Sequence, residues 1–582
     1  MRRTKIVCTV GPSIDTGDQI EKIITAGMDV ARLNLSHGSS EDHYRRLDLI
    51  RRAAEEKRKT IGFMVDTRGP EVRTGDLLED AVYLEDGQEF VLTTEKIAGS
   101  SRKASVTYPD LHRDLKPGCR VLIDDGLIVL EVMEVQDREI KCLVIHGGEL
   151  KSYKGLNTPG TRINLPALGE KDREDIKMAI EHEIEFLAAS FTRSAEDILE
   201  IRKLIENQGG RIMILAKIES EEGVQNFDSI LEVADGVMVA RGDLGVEIPP
   251  EKVPLLQKDL IRKCNRLGKP VITATQMLDS MIRNPHPTRA EASDVANAII
   301  DGTDAVMLSG ETAVGRFPVE AVETMDRIAR HTEQGLDYEK ILNELSTTVK
   351  KTVTDAISYS TCTIAQELAA DAIITSTQSG HTARMVSKYR PWAPIVAVSS
   401  RRRVASQLTL TRGVYSIICP PVNSTDDMFN NAIRTSLEEG LIKNGNLVVI
   451  TAGVPVGVSG TTNLLRVETV GDIIVKGTGV GKKAASGTAF IAENAKDLEG
   501  FKEGQILITG STDSDYLPAI EKAAALVTEE GGLTSHGAIV AINYGKPAVV
   551  GVENATGQVK TGEVITVDAI RGLIYRGKAN VL

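Results

Sequence analysis

A lysine and a glutamate stand two positions apart at the end of an apolar run, Ile-Leu-Ala-Lys-Ile-Glu, at residues 214–219. Alternate residues of a β-strand share a face, so Lys217 and Glu219 point the same way if this run is a strand. A second apolar run, residues 236–245, also reaches a carboxylate, Asp243. One cation and two anions at one mouth suggest a site for a metal ion and a phosphate group. For an isolated charged pair, a solvated surface salt bridge is the alternative.

These charges belong to a repeating pattern of short apolar segments rich in Val, Ile and Met. The segments recur about every 25 to 35 residues between stretches with helical spacing, which is typical of parallel β/α units. Eight such units in order predict a closed (β/α) barrel, an α/β fold whose functional residues should follow the C-terminal ends of the strands. The eight segments are residues 5–10, 29–35, 60–66, 185–191, 211–218, 236–240, 270–275 and 304–308.

The residues at the ends of these segments are chemically unusual, as a barrel predicts. Charged, hydroxyl and amide side chains cluster there instead of being spread along the chain. They include Arg32, Asn34, Leu35, Ser36 and His37 in the second segment or just after it, Asp66, Thr67 and Arg73 at or after the third, Lys217 and Glu219 at the fifth, Gly242 and Asp243 after the sixth, and Thr275 at the seventh.

Other parts of the chain have a different texture. Between the third and fourth segments, roughly 100 residues alternate in strand fashion with turn signals such as Asp124-Asp125-Gly126, which indicates a small inserted β domain. An insertion at the C-terminal end of a barrel strand lies over the mouth and can act as a lid. An α/β pattern returns at about Asp337 and suggests an open sheet. After Asp472 a Gly- and Lys-rich stretch leads into a final small domain.

Composition limits the class of protein. The 582 residues exceed one core and suggest about three or four domains. The net charge of −13 argues against a nucleic-acid partner, because such binding needs a basic surface. The sequence has neither an apolar run long enough for a membrane span nor a signal-peptide pattern. We therefore expect a cytoplasmic protein with no membrane partner. The six cysteines have no metal or redox spacing, and we expect them to be reduced and buried.

Five motifs of the barrel region together resemble the pyruvate kinase family over roughly the first 470 residues. They occur in the family's order and at its strand ends. The resemblance implies a barrel in two parts (residues 1–69 and 168–336), an inserted β lid (70–167), an α/β effector domain (337–472) and an appended domain (473–582). The motifs are Arg-Leu-Asn-Leu-Ser-His-Gly, Asp-Thr-Arg-Gly-Pro-Glu-Val-Arg, Ala-Lys-Ile-Glu, Ala-Arg-Gly-Asp-Leu-Gly and Ala-Thr-Gln-Met-Leu.

The resemblance implies transfer of the phosphoryl group of phosphoenolpyruvate to ADP, giving pyruvate and ATP. Cations and positioning supply most of the catalysis of such a transfer. Lys217 is expected to stabilise the phosphoryl group in flight, and Glu219 with Asp243 to hold Mg²⁺. Arg32 would bind the substrate phosphate.

The substrate carboxylate is expected at the backbone amides of Gly242 and Asp243, which are predicted to open a helix, because free N–H groups and the helix dipole favour anions there. Thr275 would lie beside the enolate carbon. Either its hydroxyl or a bound water delivers the proton there.

The resemblance also implies a K⁺ site with oxygen ligands from Asn34, Ser36, Asp66 and Thr67. Glu71 matches the family position at which a glutamate accompanies potassium dependence. The nucleotide is expected to contact the loop after the second segment and two cations of the lid region. These nucleotide-binding residues are Asn34, Leu35, Ser36, His37, Arg73 and Lys154, for the last of which an exposed loop lysine is the alternative. Arg68 and Leu156 depart mildly from the family pattern, without touching a ligand role.

Two further signals lie beyond the barrel. A hydroxyl-rich loop before a helical segment suits a phosphorylated small-molecule effector, although an N-cap and turn without ligand is the alternative. Its residues are Ser376, Thr377, Ser379, Gly380 and Thr382. The segment around His536 resembles the swivelling phosphohistidine domain of phosphoenolpyruvate-utilising enzymes, so His536 is a possible phosphohistidine.

Three rival hypotheses follow from these residues. A dikinase-like phosphotransferase would need His536 as covalent carrier, but the chain lacks the large ATP-binding domain of such enzymes. A metal-dependent lyase on the same barrel does not explain Arg73 or the inserted lid. A binding protein without activity does not explain why every expected catalytic position is filled. The favoured hypothesis is an allosteric enzyme of the kind that the resemblance implies, a pyruvate kinase. The resemblance also implies a homotetramer.

Overall fold

The computed structural model describes residues 1–36, 38–346, 352–422, 424–454 and 462–581. The chain falls into two units, Met1–Asp337 with Arg402–Ser416, and Tyr338–Arg401 with Ile417–Leu582. Within the described ranges, no helix is both long and apolar enough to cross a bilayer.

Strands and helices alternate along most of the chain. The strands are β1 (Lys5–Thr9), β2 (Val30–Asn34), β3 (Gly62–Asp66), β4 (Val72–Arg73), β5 (Ala81–Leu84), β6 (Glu89–Thr93), β7 (Lys103–Ser105), β8 (Arg120–Ile123), β9 (Ile128–Gln136), β10 (Glu139–His146), β11 (Gly148–Lys151), β12 (Gly155–Asn157), β13 (Phe186–Ala189), β14 (Met213–Ile218), β15 (Gly236–Ala240), β16 (Val271–Ala274), β17 (Ala305–Leu308), β18 (Ala372–Ser376), β19 (Ile395–Ser399), β20 (Val414–Ile418), β21 (Leu447–Ala452), β22 (Leu464–Thr469), β23 (Ile473–Lys476), β24 (Thr478–Val480), β25 (Ala484–Ile491), β26 (Ile506–Thr509), β27 (Ala525–Thr528), β28 (Ala548–Val550), β29 (Val564–Asp568) and β30 (Leu573–Arg576).

The helices are α1 (Gly17–Ala26), α2 (Ser40–Glu56), α3 (Leu111–Asp114), α4 (Glu170–Glu181), α5 (Ala195–Asn207), α6 (Glu221–Gln225), α7 (Phe227–Val233), α8 (Arg241–Glu247), α9 (Val253–Leu267), α10 (Arg289–Ile300), α11 (Gly310–Ala313), α12 (Pro318–Gln334), α13 (Tyr338–Ser346), α14 (Val353–Glu367), α15 (His381–Ser387), α16 (Arg402–Gln407), α17 (Thr425–Glu438), α18 (Leu517–Lys522), α19 (His536–Asn543) and α20 (Ala555–Gln558).

Eight parallel strands of the first unit close into a barrel in the order β1-β17-β16-β15-β14-β13-β3-β2. Each of the eight predicted apolar segments contains one of them, so the predicted barrel is confirmed. Side chains such as Val7, Met64 and Met238 fill its interior, and a second apolar layer lies between strands and helices. Burial on both faces explains why these strands are continuously apolar instead of alternating.

Capping residues set where several barrel helices begin. Ser194 before α5 and Thr288 before α10 each accept a hydrogen bond from the third helical residue, whose own carboxylate returns a bond to the cap. At α4 the cap is Gly169, which has no side chain to accept a bond, so only one bond is made, from Gly169 N to Asp172 Oδ2 at 2.9 Å. The first-turn carboxylates also complement the positive end of each helix dipole.

The predicted insertion between the third and fourth barrel strands is confirmed as a separate β domain, here called the lid. Its sheet has the order β4-β12-β8-β9-β10-β6-β7, with β11 and β5 forming a second pair. It has its own apolar core, which includes Phe90, Leu130 and Ile140. The predicted turn at its β8–β9 hairpin is present, with Asp124 and Asp125 both at positive φ.

The second unit contains two sheets. One has the order β20-β19-β18-β21-β22, and the other, in the C-terminal domain, has the order β23-β30-β29-β25-β26-β27-β28-β24. The C-terminal domain is hydrogen-bonded to the first sheet's domain near the end of the chain. There Asn580 N donates to Gly445 O at 2.7 Å, and Thr469 Oγ1 donates to Asn580 O at 3.1 Å. All six cysteines are free, and all but Cys119 are buried.

Candidate active site

Lys217, near the end of β14, lies at the centre of a charged cluster on the C-terminal edge of the barrel. Its Nζ is 2.9 Å from Glu219 Oε1, 3.2 Å from Asp66 Oδ1 and 2.8 Å from Ser190 Oγ. Burial lowers the pKa of Lys217, but the two carboxylates outweigh burial and raise it above its usual range. The ammonium group therefore stays charged beneath the barrel mouth.

Asp66, at the end of β3, joins this lysine to Arg32 on the neighbouring strand β2. Arg32 donates to Asp66 Oδ2 through Nε at 2.7 Å and also through Nη2, and its Nη1 donates to Thr9 Oγ1 at 2.9 Å. Burial raises the pKa of Asp66, yet Arg32 and Lys217 bring it below its usual range. The predicted phosphate-binding arginine and the predicted catalytic lysine thus share one buried carboxylate.

Glu219 follows β14, and Asp243 lies in the first turn of α8 after β15, close enough for each carboxyl group to affect the pKa of the other. Burial raises the pKa of Glu219 to about 7, and burial also raises the pKa of Asp243. Two neighbouring carboxyls that are reluctant to ionise are suited to a divalent cation, which would favour the charged form of both. Among the described residues no set of three or more His, Cys, Asp or Glu converges on one point. Mg²⁺ commonly binds one or two carboxylates and takes its other oxygens from water and substrate.

Thr275 follows β16 in a strained conformation, with φ of +65°. Left-handed backbone is costly for a β-branched residue and is found mostly at functional sites. The conformation is held by Gly242 N, which donates to Thr275 Oγ1 at 2.7 Å, and by Arg241 Nη2, which donates to Thr275 O at 2.8 Å. Thr275 and the amides at the start of α8 are therefore brought together, as predicted.

The four predicted K⁺ ligands lie on the adjacent ends of β2 and β3, where Asn34 and Asp66 are register partners. Asn34 Oδ1 accepts from Ser36 N at 3.2 Å. The carbonyl of Thr67 accepts from Ser190 Oγ at 2.6 Å. Leu35 in the same loop is buried, and its N–H donates to Asp66 O. The prediction for His37 lies outside the described residues.

The two lid cations predicted to meet the nucleotide lie near each other, since Arg73 on β4 and Gly155 on β12 are register partners. Arg73 Nη2 is 2.8 Å from Glu71 Oε2, and its Nη1 donates to Tyr153 O. Lys154 is not simply a solvated loop lysine, because its Nζ is 2.9 Å from Asp124 Oδ1. A cavity of about 420 Å³ separates the lid from the barrel end, and its lining includes Asp243.

The predicted effector loop connects β18 to α15. Gly380 has φ of +77°, which a glycine adopts without strain, and α15 begins at the next residue. Thr382 Oγ1 lies 3.0 Å from Thr462 Oγ1, and Thr377 N donates to Val398 O. Beside this loop the buried hydroxyl of Thr375 has no hydrogen-bond partner in the described part of the chain. The other predicted loop residues, Ser376 and Ser379, lie between these groups.

His536 is the first residue of α19, after the N-cap Ser535. Its side chain is half-buried, and its Nδ1 lies 2.9 Å from Thr512 Oγ1. No carboxylate within the described ranges makes an ion pair with it, in contrast to the carboxylates around Lys217.

Sequence reasoning missed two residues that organise the site. Ser190, just after β13, joins Lys217, Asp66 and the Thr67 carbonyl through one hydroxyl. Arg241 fixes the backbone after β16 and is itself held by Asp294 at 2.7 Å. Both residues directly follow barrel strands, and this position in the sequence could have indicated a role in the site. Neither was assigned one because the residue type alone did not suggest a role.

A closed parallel barrel with a buried lysine, paired carboxylates and an inserted domain at its C-terminal edge defines a TIM-barrel enzyme that acts on anionic substrates at the barrel mouth. Comparison with known proteins narrows this class. Residues 1–322 match the family described as "Pyruvate kinase, barrel domain" and residues 355–468 match "Pyruvate kinase, alpha/beta domain". Residues 501–572 match "PEP-utilising enzyme, mobile domain", in agreement with the resemblance seen around His536.

Individual relatives agree with this assignment. The pyruvate kinase of Geobacillus stearothermophilus is 55% identical and that of Bacillus licheniformis 53% identical, each over 100% of both chains. The crystal structure of a pyruvate kinase from Cryptosporidium parvum superposes with a TM-score of 0.77 at 41% identity, covering 80% of this chain and 96% of that one. The chain therefore belongs to the pyruvate kinase family, and it is an enzyme of the phosphotransferase class.

Proposed function

We propose that the protein transfers the phosphoryl group of phosphoenolpyruvate to ADP and forms pyruvate and ATP. The observation that carries this proposal is the Lys217 ammonium, which is held at the barrel mouth between two buried carboxylates. A phosphoryl group in transfer spreads negative charge over its oxygens, and a fixed cation in a buried site lowers the energy of that state.

The surrounding residues divide the remaining tasks. Arg32 binds the substrate phosphate, and the amides of Gly242 and Asp243 receive the substrate carboxylate, for which Gly242 N exchanges its bond to Thr275 Oγ1 for one to the ligand. The Thr275 hydroxyl donates to Ala274 O at 2.7 Å and accepts from Gly242 N. Since its own proton is engaged, a bound water held by Thr275 is the better source of the proton for the enolate.

Mg²⁺ is proposed at Glu219 and Asp243, where it would neutralise charge on the substrate oxygens. K⁺ is proposed at Asn34, Ser36, Asp66 and Thr67, all of which offer oxygen atoms at one edge of the barrel. Activity in K⁺ compared with a buffer free of both K⁺ and Na⁺ tests this second site. Full activity without either ion rules out K⁺ activation.

Regulation is proposed at the β18–α15 loop, with a phosphorylated small molecule as effector. The unpartnered Thr375 hydroxyl supports this assignment, because a buried polar group without a partner is costly and a ligand can satisfy it. The family relationship also supports the proposed homotetramer and the five proposed domain segments. It supports nucleotide contacts at Asn34, Leu35, Ser36, His37, Arg73 and Lys154. The cytoplasmic location stays a prediction from composition.

Phosphoryl transfer through His536 is the second candidate, favoured only by the domain match. The domain that carries His536 is hydrogen-bonded to the neighbouring α/β domain through Asn580, which contacts Gly445 and Thr469. A domain that carries a phosphoryl group must move between two reaction sites. Hydrogen bonds that hold the domain in place therefore favour direct transfer at Lys217.

The deciding experiment measures ATP formation from phosphoenolpyruvate and ADP in the presence of Mg²⁺ and K⁺. The wild-type protein and the Lys217→Met and His536→Ala variants are compared. The proposal expects near-complete loss in the first variant and little change in the second. Loss of activity in a correctly folded His536→Ala variant contradicts direct transfer.

A further inference from the structure

Two chain segments connect the lid to the barrel, one leaving after β3 and the other returning before α4. The carboxylate of Asp172, in the first turn of α4, contacts both. Asp172 Oδ1 accepts from Arg68 N and from Gly69 N, each at 3.1 Å, and Oδ2 accepts from Gly169 N at 2.9 Å. Asp172 is buried, so water does not compete for these bonds.

We propose that Asp172 is a positioning residue that clamps the hinge of the lid and thereby sets where Arg73 and Lys154 stand over the nucleotide. This inference rests on the proposed function, in which the lid completes the nucleotide site. Only the bond to Gly169 belongs to the helix cap, since the other two join residues more than 100 positions earlier in the chain. Helix capping alone therefore does not explain the contacts of Asp172.

The segment that leaves the barrel after β3 is fixed where it passes the Lys217 cluster. Gly69 has φ of +71°, and a Cβ atom there would lie 2.6 Å from the carbonyl oxygen of Ser190. Ser190 in turn accepts a hydrogen bond from Lys217. The first turn of the hinge thus packs against the residue that contacts Lys217, and Asp172 holds the same turn through its bonds to the amides of Arg68 and Gly69.

The returning segment has a second anchor, which makes the clamp asymmetric. Arg193 donates to Ile163 O at 2.9 Å and to Leu165 O at 2.8 Å, and it is paired with Asp197. If Asp172 loses its carboxylate, the returning segment stays attached through Arg193 while the outgoing segment loses both of its bonds. The lid is then expected to shift on the barrel instead of detaching from it.

Three variants test the clamp. Asp172→Ala removes all three bonds, whereas Asp172→Asn keeps an oxygen that can accept from Arg68 and Gly69 and loses only the bond to Gly169. Asp427→Ala is the matched control, because Asp427 occupies the same first-turn position of α17 and accepts from the Ser424 hydroxyl in the α/β domain. It removes a helix-capping carboxylate without touching the lid.

Kinetics separate a positioning role from a structural one. Asp172→Ala is expected to lose roughly 10-fold or more in kcat/KM for ADP, because hinge residues set the closed geometry, while KM for phosphoenolpyruvate stays within about twofold. Asp172→Asn should recover most of the loss, and Asp427→Ala should match the wild-type protein. Equal effects on both substrates, or no rescue by Asn, overturn the proposal.

Lid position is measured independently of activity. Spin labels at Tyr83→Cys in the lid and Leu199→Cys in α5, both exposed positions, report the lid-to-barrel distance in a Cys119→Ser background. A broadened or displaced distance distribution in Asp172→Ala, absent in Asp427→Ala, supports the clamp, and an unchanged distribution overturns it. If the wild-type protein forms no ATP, the proposed function fails, but this distance measurement still decides the clamp.

Discussion

Lys217 in the barrel and His536 in the C-terminal domain occupy two regions that both resemble phosphate-handling sites, yet their surroundings differ. Lys217 is buried, and two carboxylates and a serine hydroxyl hold its ammonium group. His536 is half-buried and is oriented by one threonine hydroxyl. Fixing a charge in a buried site requires opposing charges around it, and this arrangement exists at Lys217. The comparison favours the barrel as the place of the proposed reaction.

Lys217→Met is the change with the largest expected effect. The variant keeps the length of the side chain but removes the charge that faces the transferring group, so kcat should fall on the order of 10³-fold. The initial rate of ATP formation at saturating substrates is the measurement. Lys22→Met serves as control, because Lys22 is an exposed lysine paired with Asp18 on α1.

Loss of the Lys217 ammonium also leaves the buried Glu219 without its ion-pair partner and leaves Asp66 with Arg32 alone, so the Lys217→Met variant should be less stable. Circular dichroism and thermal unfolding establish that it is folded at the assay temperature. A folded Lys217→Met variant with more than about a tenth of wild-type kcat contradicts the assignment of the reaction to the barrel.

Glu219→Gln is the second test of the barrel centre. The change turns one of the two proposed Mg²⁺ ligands into a neutral amide. The affinity for Mn²⁺, as a probe of this site, and the activity should each fall by about 10- to 100-fold. Metal binding to the isolated enzyme is measured by calorimetry, which does not depend on turnover. Glu221→Gln, a change to a nearby carboxylate outside the Lys217 cluster, should leave the affinity nearly unchanged.

The pH dependence of metal binding sharpens the same test. Burial raises the pKa of Glu219 to about 7, so at lower pH a proton occupies the carboxylate and competes with the cation. Wild-type affinity should therefore fall by up to about tenfold for each pH unit below that pKa, whereas Glu219→Gln should lose this dependence. A flat wild-type profile between about pH 6 and about pH 8 contradicts the raised pKa.

Much of this site is predictable from sequence because the barrel repeats. Continuously apolar segments give the strands, and the strand ends place Arg32, Lys217 and Thr275 at one mouth. The contacts among them are not predictable, because they depend on side chains from strands far apart in the chain. Ser190 is an ordinary serine after an apolar segment, and only the folded barrel brings it to Lys217. In the sequence Asp172 likewise looks like a helix-capping residue, and only the folded chain brings the segments that connect the lid to the barrel into contact with it.

Ser190→Ala tests whether such a hidden residue contributes to the barrel centre. Its hydroxyl accepts from Lys217 at 2.8 Å and contacts Asp66 Oδ1 at 3.0 Å, so its removal leaves the lysine less firmly oriented. We expect kcat to fall about tenfold with KM values little changed, since groups that orient a catalytic residue contribute effects of this size. Ser229→Ala, at an exposed serine of α7, is the control. If kcat of Ser190→Ala falls by about twofold or less, the two carboxylates alone position Lys217.

His536→Ala should have the smallest effect, within about twofold of wild-type kcat, because among the described residues no charged side chain pairs with the histidine to tune its nucleophilicity. A stronger form of the test incubates the wild-type protein with labelled phosphoenolpyruvate in the absence of ADP. A carrier histidine would trap the label as phosphohistidine, which is lost in acid and stable in base, and the trapped label would then pass to added ADP. Absence of label with full turnover confines the phosphoryl group to the barrel. Label that forms and transfers as fast as ATP appears would move the reaction to His536, and it would require the bonds of Asn580 to Gly445 and Thr469 to open in every turnover.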